Sequence, residues 1–432
     1  MRAVFTASMA AGLLLGALAQ AGPITVGETR IDNAYPDQVA FQVDVSSTAA
    51  ISRVELHVSL RGDSSTTVIV AAFEPGMVTT ARAEWKTRRD GVPPGAPFTY
   101  QWEIWDEAGA KFSTPSESGL TVDLRRTWSA LIDDRVAVWW YEGDAAFGNR
   151  IFELATTSLR LMERESGLEI PFLLHVVLYP DAEAFAEWHD YVQDWVGGEA
   201  YTTMGLTVQI ISPSDSWDWV QSVICHEVAH LFFYQATHNA LSLGPDTWIS
   251  EGYAQYHECI SNDWLGEMVQ QAIDRGELIP LRLATGSFSG ADERVWLLYA
   301  ESWSAVTFLY DRWGANGMAR LMEAFRDGAE NSDALRAATG LDFEGFQQVW
   351  WEWLGGMPGA YPTPLVRATS GTLPSLEPYA SAAIAGTTPG PPLAEGTAPP
   401  EAGRRAWPCA GGAAALLMGT AAIMLSTRAS RR

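Results

Sequence analysis

The sequence predicts an α+β protein in which a β-sandwich is followed by a mixed domain that ends almost wholly helical. Three observations carry this prediction. Residues 22–125 alternate apolar and polar side chains in short runs separated by turn signals. From Trp128 strand and helix patterns intermix, and after Ser214 the periodicity is helical up to about Gly356. Residues 357–405 are dominated by Pro, Ala, Gly, Ser and Thr, too poor in large apolar side chains for a core, and form a linker.

In the first region ISRVELHVSL sets Val54, Leu56, Val58 and Leu60 on one face, and FTYQWEIW does the same with Phe98, Tyr100, Trp102 and Ile104. Turns are marked at Arg61-Gly62-Asp63, Glu74-Pro75-Gly76 and Gly95. Regularly spaced short strands predict an antiparallel sandwich over 22–125. YQWEIWDEAGAKFST resembles the last hairpin of immunoglobulin-like or fibronectin-type modules. Its expected role is spacing or docking, with adhesion as the alternative.

The second domain is expected over 126–356. RVAVWWYEG is a strand pattern, Ala145 to Glu165 an amphipathic helix, EIPFLLHVVLYP a strand and DAEAFAEWHDYV a helix. MGLTVQII is a third strand, expected to form a cleft edge on which an extended peptide could pair. A strand-bearing half followed by a helical half predicts a cleft between the two.

The two ends carry targeting signals. Arg2, the small-residue apolar run Ala10 to Ala19, and small-x-small patterns at Ala17, Ala19 and Ala21 predict a secretory signal peptide over 1–21. Residues 406–425 are uncharged and apolar enough for a short membrane span or sorting segment. Arg428, Arg431 and Arg432 in the 426–432 tail suit a cytoplasmic end, whereas Arg404 and Arg405 weigh against that orientation. The leader decides the orientation, so the domains are expected outside the cytoplasm, anchored at the cell surface. The tail also resembles bacterial C-terminal sorting tails, with Cys409 as a candidate processing site.

A net charge of −24 argues against a nucleic-acid partner, which demands basic patches. Three cysteines make no disulfide framework. Cys225 and Cys259 either pair with each other or stay as buried thiols. Nothing in the sequence fixes an oligomeric state.

The chemistry lies between Cys225 and Glu258. SDSWDWVQSVICHEVAHLFFYQ opens on N-cap candidates Ser214, Asp215 and Ser216 and continues with helical periodicity through Val220, Val223, Ile224 and Leu231. On that helix His226 and His230 lie one turn apart on one face and can share a tetrahedral metal. Glu227 lies beside the metal, placed to take a proton from the attacking water. After His230 come 20 residues and then Glu251, within PDTWISEGYAQY, on a second helix beginning near Pro245 or Asp246. As a third ligand it leaves one position open, as a catalytic site requires. His238 and His257 sit near the motif at the wrong spacing, as surface or supporting residues.

HExxH followed by WxxEGxA resembles the gluzincin zinc metallopeptidases of the peptidase MA-like family. The resemblance covers about 126–356, with its specific motifs confined to 225–256. It implies a zincin-type domain that holds Zn2+ through His226, His230 and Glu251, uses Glu227 as general base, and hydrolyses a peptide or protein substrate. Gluzincins often add a Tyr or His from a later helix to steady the oxyanion. VWLLYAESWSAVTFLYDRWG is the candidate helix and Tyr299 the candidate donor, the alternative being a purely core role for that ring. WISEGYA is also similar to the corresponding stretch of membrane-type aminopeptidases. Their G-x-M-E-N segment is missing upstream of His226, so the expectation is an endopeptidase. The alternatives are an aminopeptidase, or a non-catalytic cell-envelope binding protein.

Overall fold

The computed structural model describes residues 5–6, 23–188, 197–241, 244–286 and 293–355. The expected linker 357–405, membrane segment 406–425 and tail 426–432 lie outside the described residues. So does the expected leader 1–21, apart from the backbone of β1 (Phe5–Thr6). Among the described residues no helix is long and apolar enough to cross a membrane.

The N-terminal region forms two antiparallel sheets. One contains β2 (Ile24–Ala34), β3 (Gln38–Ser47) and β6 (Val78–Trp85). The other runs β5 (Thr67–Val70), β4 (Ile51–Leu60), β7 (Pro97–Asp106), β8 (Lys111–Ser113), with β9 (Glu117–Leu120) also on β7. Register pairs Val54 with Ile104, Leu56 with Trp102 and Val58 with Tyr100, so the alternating apolar residues of both strands share one face. They are buried against the first sheet, where Phe41 meets Tyr100 at 4.9 Å and Trp85 meets Phe98 at 5.2 Å between ring centroids.

The second region contains a mixed sheet in the order β1-β10-β11-β12-β14-β13. Its strands are β10 (Ser129–Ile132), β11 (Val136–Trp140), β12 (Leu174–Tyr179), β13 (Gly198–Tyr201) and β14 (Leu206–Ile210). β11, β12 and β14 are parallel; β10 and β13 run antiparallel beside them. The parallel step from β11 to β12 uses a helical crossover, α1 (Ala145–Ser166), capped by Asp144, which accepts from Phe147 N. Gly148 lets α1 seat on the sheet, since a Cβ there would meet the Trp140 ring at 2.1 Å. The helix expected over DAEAFAEWHDYV is described as the short α2 (Ala182–Ala186).

One expectation is corrected. The strand within MGLTVQII is β14, which is hydrogen-bonded on both sides, to β12 and to β13. Among the described residues the edge on that side is β13, because the chain folds back through a tight turn ending at Gly205 (φ 62°) and covers β14.

The mixed sheet is buried on both faces. Its helix-side residues Val136, Val138, Val176 and Leu178 join the main helical core. Its opposite-face residues Val177, Tyr179, Leu206 and Val208 share one core with Phe41, Phe98 and Trp102 of the N-terminal sheets. Arg61 closes the seam: its guanidinium donates to Met204 O (2.7 Å) and Leu173 O (3.1 Å) and lies 4.4 Å from the Phe172 ring centroid. The N-terminal region is therefore a third layer of the structure.

His175 lies on this seam, 4% exposed. Burial, helped by the positive charge of Arg61, pushes its pKa down from 6.5 to about 4. The unfolded chain therefore takes up this proton at a higher pH than the folded chain does. Above about pH 6.5 the residue does not affect stability; between about 6.5 and 4 stability falls with falling pH, by about 3 kcal/mol in all. Below that range both states are protonated and the loss levels off. Urea unfolding across this range should show the slope in the parent and a flatter one in His175→Leu; equal slopes would refute the buried neutral imidazole.

The helical half comprises α3 (Trp217–Thr237), α4 (Thr247–Tyr256), α5 (Asp263–Arg275), α6 (Glu293–Arg326), α7 (Asn331–Thr339) and α8 (Phe343–Trp353). α6 departs from helical geometry at Gly314 (φ 65°, ψ −174°). α4 lies between α3 and α6, anchored by Trp248, whose ring stacks on Phe346 at 5.8 Å.

Candidate metal centre

Ser216 caps α3, accepting from Trp219 N at 3.4 Å. The middle of α3 is buried nearly all round, and His226 and Glu227 are 0% exposed. Such placement is costly for polar groups unless they are partnered or used.

His226 Nε2 and His230 Nε2 lie 3.0 Å apart. Glu251 Oε2, from α4, lies 3.7 Å from the first and 3.4 Å from the second. Ligands about 2.0–2.1 Å from a tetrahedral ion are separated by about 3.3 Å, so these three atoms already outline one face of such a site. Gly252 permits the approach of α4. A Cβ at that position would sit 2.3 Å from Ser302 O and 2.7 Å from Val306 Cγ2 of α6.

The outer nitrogens are also held. His226 Nδ1 faces Glu258 Oε1 at 3.0 Å, and Glu258 Oε2 accepts from Ser222 Oγ at 2.8 Å. His230 Nδ1 faces Ser250 Oγ at 3.2 Å. With the Nδ1 protons donated outward, both Nε2 lone pairs point at the common centre.

The electrostatics ask for a cation. Burial lowers the affinity of His226 for a proton, but its contacts with Glu251 and Glu258 and the charges of Glu258 and Glu227 outweigh that, pushing its pKa up to about 10. Burial raises the Glu251 carboxyl, yet the charge of His230 and its contacts with both imidazoles hold it at about 2. Both oxygens of Glu227, and Oε2 of Glu251, lack any hydrogen-bond partner. Two imidazoles, a ligand carboxylate and a spare, unpartnered carboxylate form a donor set that fits Zn2+.

A second cluster, Glu55, His57 and Glu103 on the outer face of the β4/β7 sheet, does not make this demand. Arg53 pairs with Glu55, and Lys111 Nζ pairs with Glu103 at 2.9 Å, so its charge is already balanced.

The structure thus brings together His226, Glu227, His230 and Glu251. Tyr299 lies on α6, 3% exposed, in the main core with its ring 6.0 Å from that of Trp296. His238 is exposed and stacks on Tyr234, 5.0 Å between centroids. His257 is the supporting one of the two. It is buried, and its Nε2 lies 3.2 Å from Glu165 Oε2, so it ties the end of α4 to α1. Cys225 and Cys259 form a disulfide, Cα–Cα 5.8 Å.

Sequence reasoning missed Glu258, Ser222 and Ser250. Ser222 carried a signal, lying one turn before His226 on the same helix face. Glu258 carried one only if the disulfide is drawn first, because it precedes Cys259 as His226 follows Cys225.

Residues 154–356 match the sequence model of the Peptidase MA superfamily. No curated protein matches the chain in sequence. Among solved structures, the chain is similar to the M1 zinc metallopeptidase from Deinococcus radiodurans, with 15% identity, 72% of this chain and 89% of that one covered, and a TM-score of 0.36. It is also similar to an aminopeptidase N family protein from Idiomarina loihiensis, with 10% identity, 76% and 70% covered, and a TM-score of 0.34.

Proposed function

The chain belongs, through residues 154–356, to the peptidase MA superfamily and is a zinc metallopeptidase, and from that premise we propose that it acts as an endopeptidase outside the cytoplasm. The observation that carries the chemistry is Glu227, a fully buried carboxylate without a hydrogen-bond partner beside three convergent ligand atoms.

Zinc, when bound, would supply Lewis-acid chemistry to the scissile carbonyl and to the attacking water. His226, His230 and Glu251 would hold it, with Glu258 and Ser250 fixing the imidazole tautomers. Glu227 takes the proton from the attacking water and passes it to the leaving nitrogen. Tyr299 is the proposed donor to the developing oxyanion.

Two features support the endopeptidase reading. No G-x-M-E-N segment precedes His226, and the one carboxylate on edge strand β13 turns away from α3. Glu199 pairs in register with Val208, whose side chain packs into the core on the opposite face of the sheet, and its Oε2 accepts from Tyr201 OH at 2.5 Å. One feature favours an aminopeptidase: with His226 and Glu227 fully covered, a chain end enters more readily than the middle of a chain. Extracytoplasmic placement is supported by the 1–21 leader pattern and by the disulfide, which suits an oxidising compartment. The immunoglobulin-like reading of the N-terminal layer rests on its strand pattern.

The test begins with the full chain. About one zinc per chain is expected in the parent, and much less in Glu251→Ala, measured by metal analysis after dialysis. Peptides with free and blocked N-termini then separate the two specificities. Equal cleavage supports the endopeptidase, and loss on blocking supports the aminopeptidase. A folded parent that binds no zinc would sink both.

A further inference from the structure

We infer that the Cys225–Cys259 disulfide is a latch that sets the affinity of the metal centre by holding the Glu258 carboxylate on His226. The inference rests on the metal-centre reading above and goes beyond it, to what keeps a ligand oriented.

Glu258 is not fixed by a helix. α4 ends at Tyr256 and α5 begins at Asp263, so the carboxylate that meets His226 projects from the connecting loop. Three attachments hold that loop on α3. Ser222 Oγ donates to Glu258 Oε2 at 2.8 Å, Gln221 Nε2 donates to Cys259 O at 3.2 Å, and Cys259 is bonded to Cys225. Cys225 is the neighbour of His226, and Cys259 is the neighbour of Glu258. The covalent bridge therefore spans the same gap as the 3.0 Å contact between imidazole and carboxylate.

The need for a tether is physical. The Glu258 side chain is 1% exposed, and a buried carboxylate on a loop gains hydration if the loop lifts into water. Closing the loop covalently removes most of that freedom. While the carboxylate stays in place, His226 keeps Nδ1–H outward and a more basic Nε2 inward. Once it leaves, the ring can turn and Nε2 binds metal less well. Glu258 is thus a positioning residue, and the disulfide keeps it in position.

The test compares zinc affinity, by competition with a chromophoric chelator, in four full-length chains. These are the parent, Glu258→Gln, the double variant Cys225→Ala/Cys259→Ala, and the combination of all three. Glu258→Gln is expected to weaken zinc binding about 10- to 100-fold, the double cysteine variant by about ten-fold, and the combination no further than Glu258→Gln alone. The visible absorption of the cobalt-loaded protein should shift in the same direction in each variant. Two results would overturn the latch. One is a folded cysteine variant with parental affinity; the other is a further ten-fold loss when the cysteines are removed from Glu258→Gln, which would mark a general effect on stability.

If the cysteine variants do not fold, the folded parent is treated with a water-soluble phosphine. The phosphine gives two electrons to the disulfide, takes oxygen from water and leaves two thiols. With near-ultraviolet dichroism unchanged, weaker zinc binding in the parent but not in Glu258→Gln supports the latch, and unchanged affinity refutes it. A folded parent without zinc overturns the metal reading as well, whereas zinc binding indifferent to the bridge overturns the latch alone.

Discussion

Glu227→Gln is expected to lower kcat by about 10²- to 10⁴-fold, with zinc content at the parental level. The side chains have the same shape, and Glu227 is not one of the three atoms that outline the ion site. Neither of its oxygens contacts a protein donor, so the substitution breaks no hydrogen bond. It also removes a buried charge from a region that already holds Glu251 and Glu258, and stability should stay level or rise. KM should move far less than kcat, since the lost interaction is made while the proton is in transit. Metal analysis, steady-state kinetics and a melting curve check the three parts separately. Retention of kcat would remove Glu227 from the mechanism.

Gly252→Ala should have the largest effect on the architecture of the site. On an ordinary helix this exchange stabilises by about 1 kcal/mol. Here the added methyl would stand 2.3 Å from Ser302 O, a backbone atom of α6 that cannot swing aside. Forcing α4 away costs about 1–3 kcal/mol or more, and Glu251 precedes the substituted residue. A shift of about half an ångström is enough to spoil a ligand set. The expected result is a lower Tm together with weaker zinc binding. A raised Tm would show that α4 and α6 separate freely and would remove the packing account of this glycine.

The parts of the site carried by regular spacing were legible in the sequence. His226, Glu227 and His230 follow from helix geometry, and Glu251 from a second helix with its own cap region. The N-terminal strands were legible because one face alternates cleanly. What escaped depends on partners distant in sequence. β13 is four residues long, and only its pairing reveals that it, not β14, is the edge. Glu258 lies in a loop, where no periodicity points to a neighbour. Gly252 looked like part of a motif, and its cause lies in the backbone of Ser302. The continuous burial of LHVVLY was a readable sign that both faces of β12 are covered, but not of what covers the second one.

That covering layer bears on whether the second region can stand by itself. Val177, Tyr179, Leu206 and Val208 would face water if the chain were cut near residue 125, and Arg61 would lose its carbonyl partners at Leu173 and Met204. The catalytic half is therefore not a portable cassette. Moved alone, it would carry the proposed zinc ligands without the layer that covers one face of its sheet.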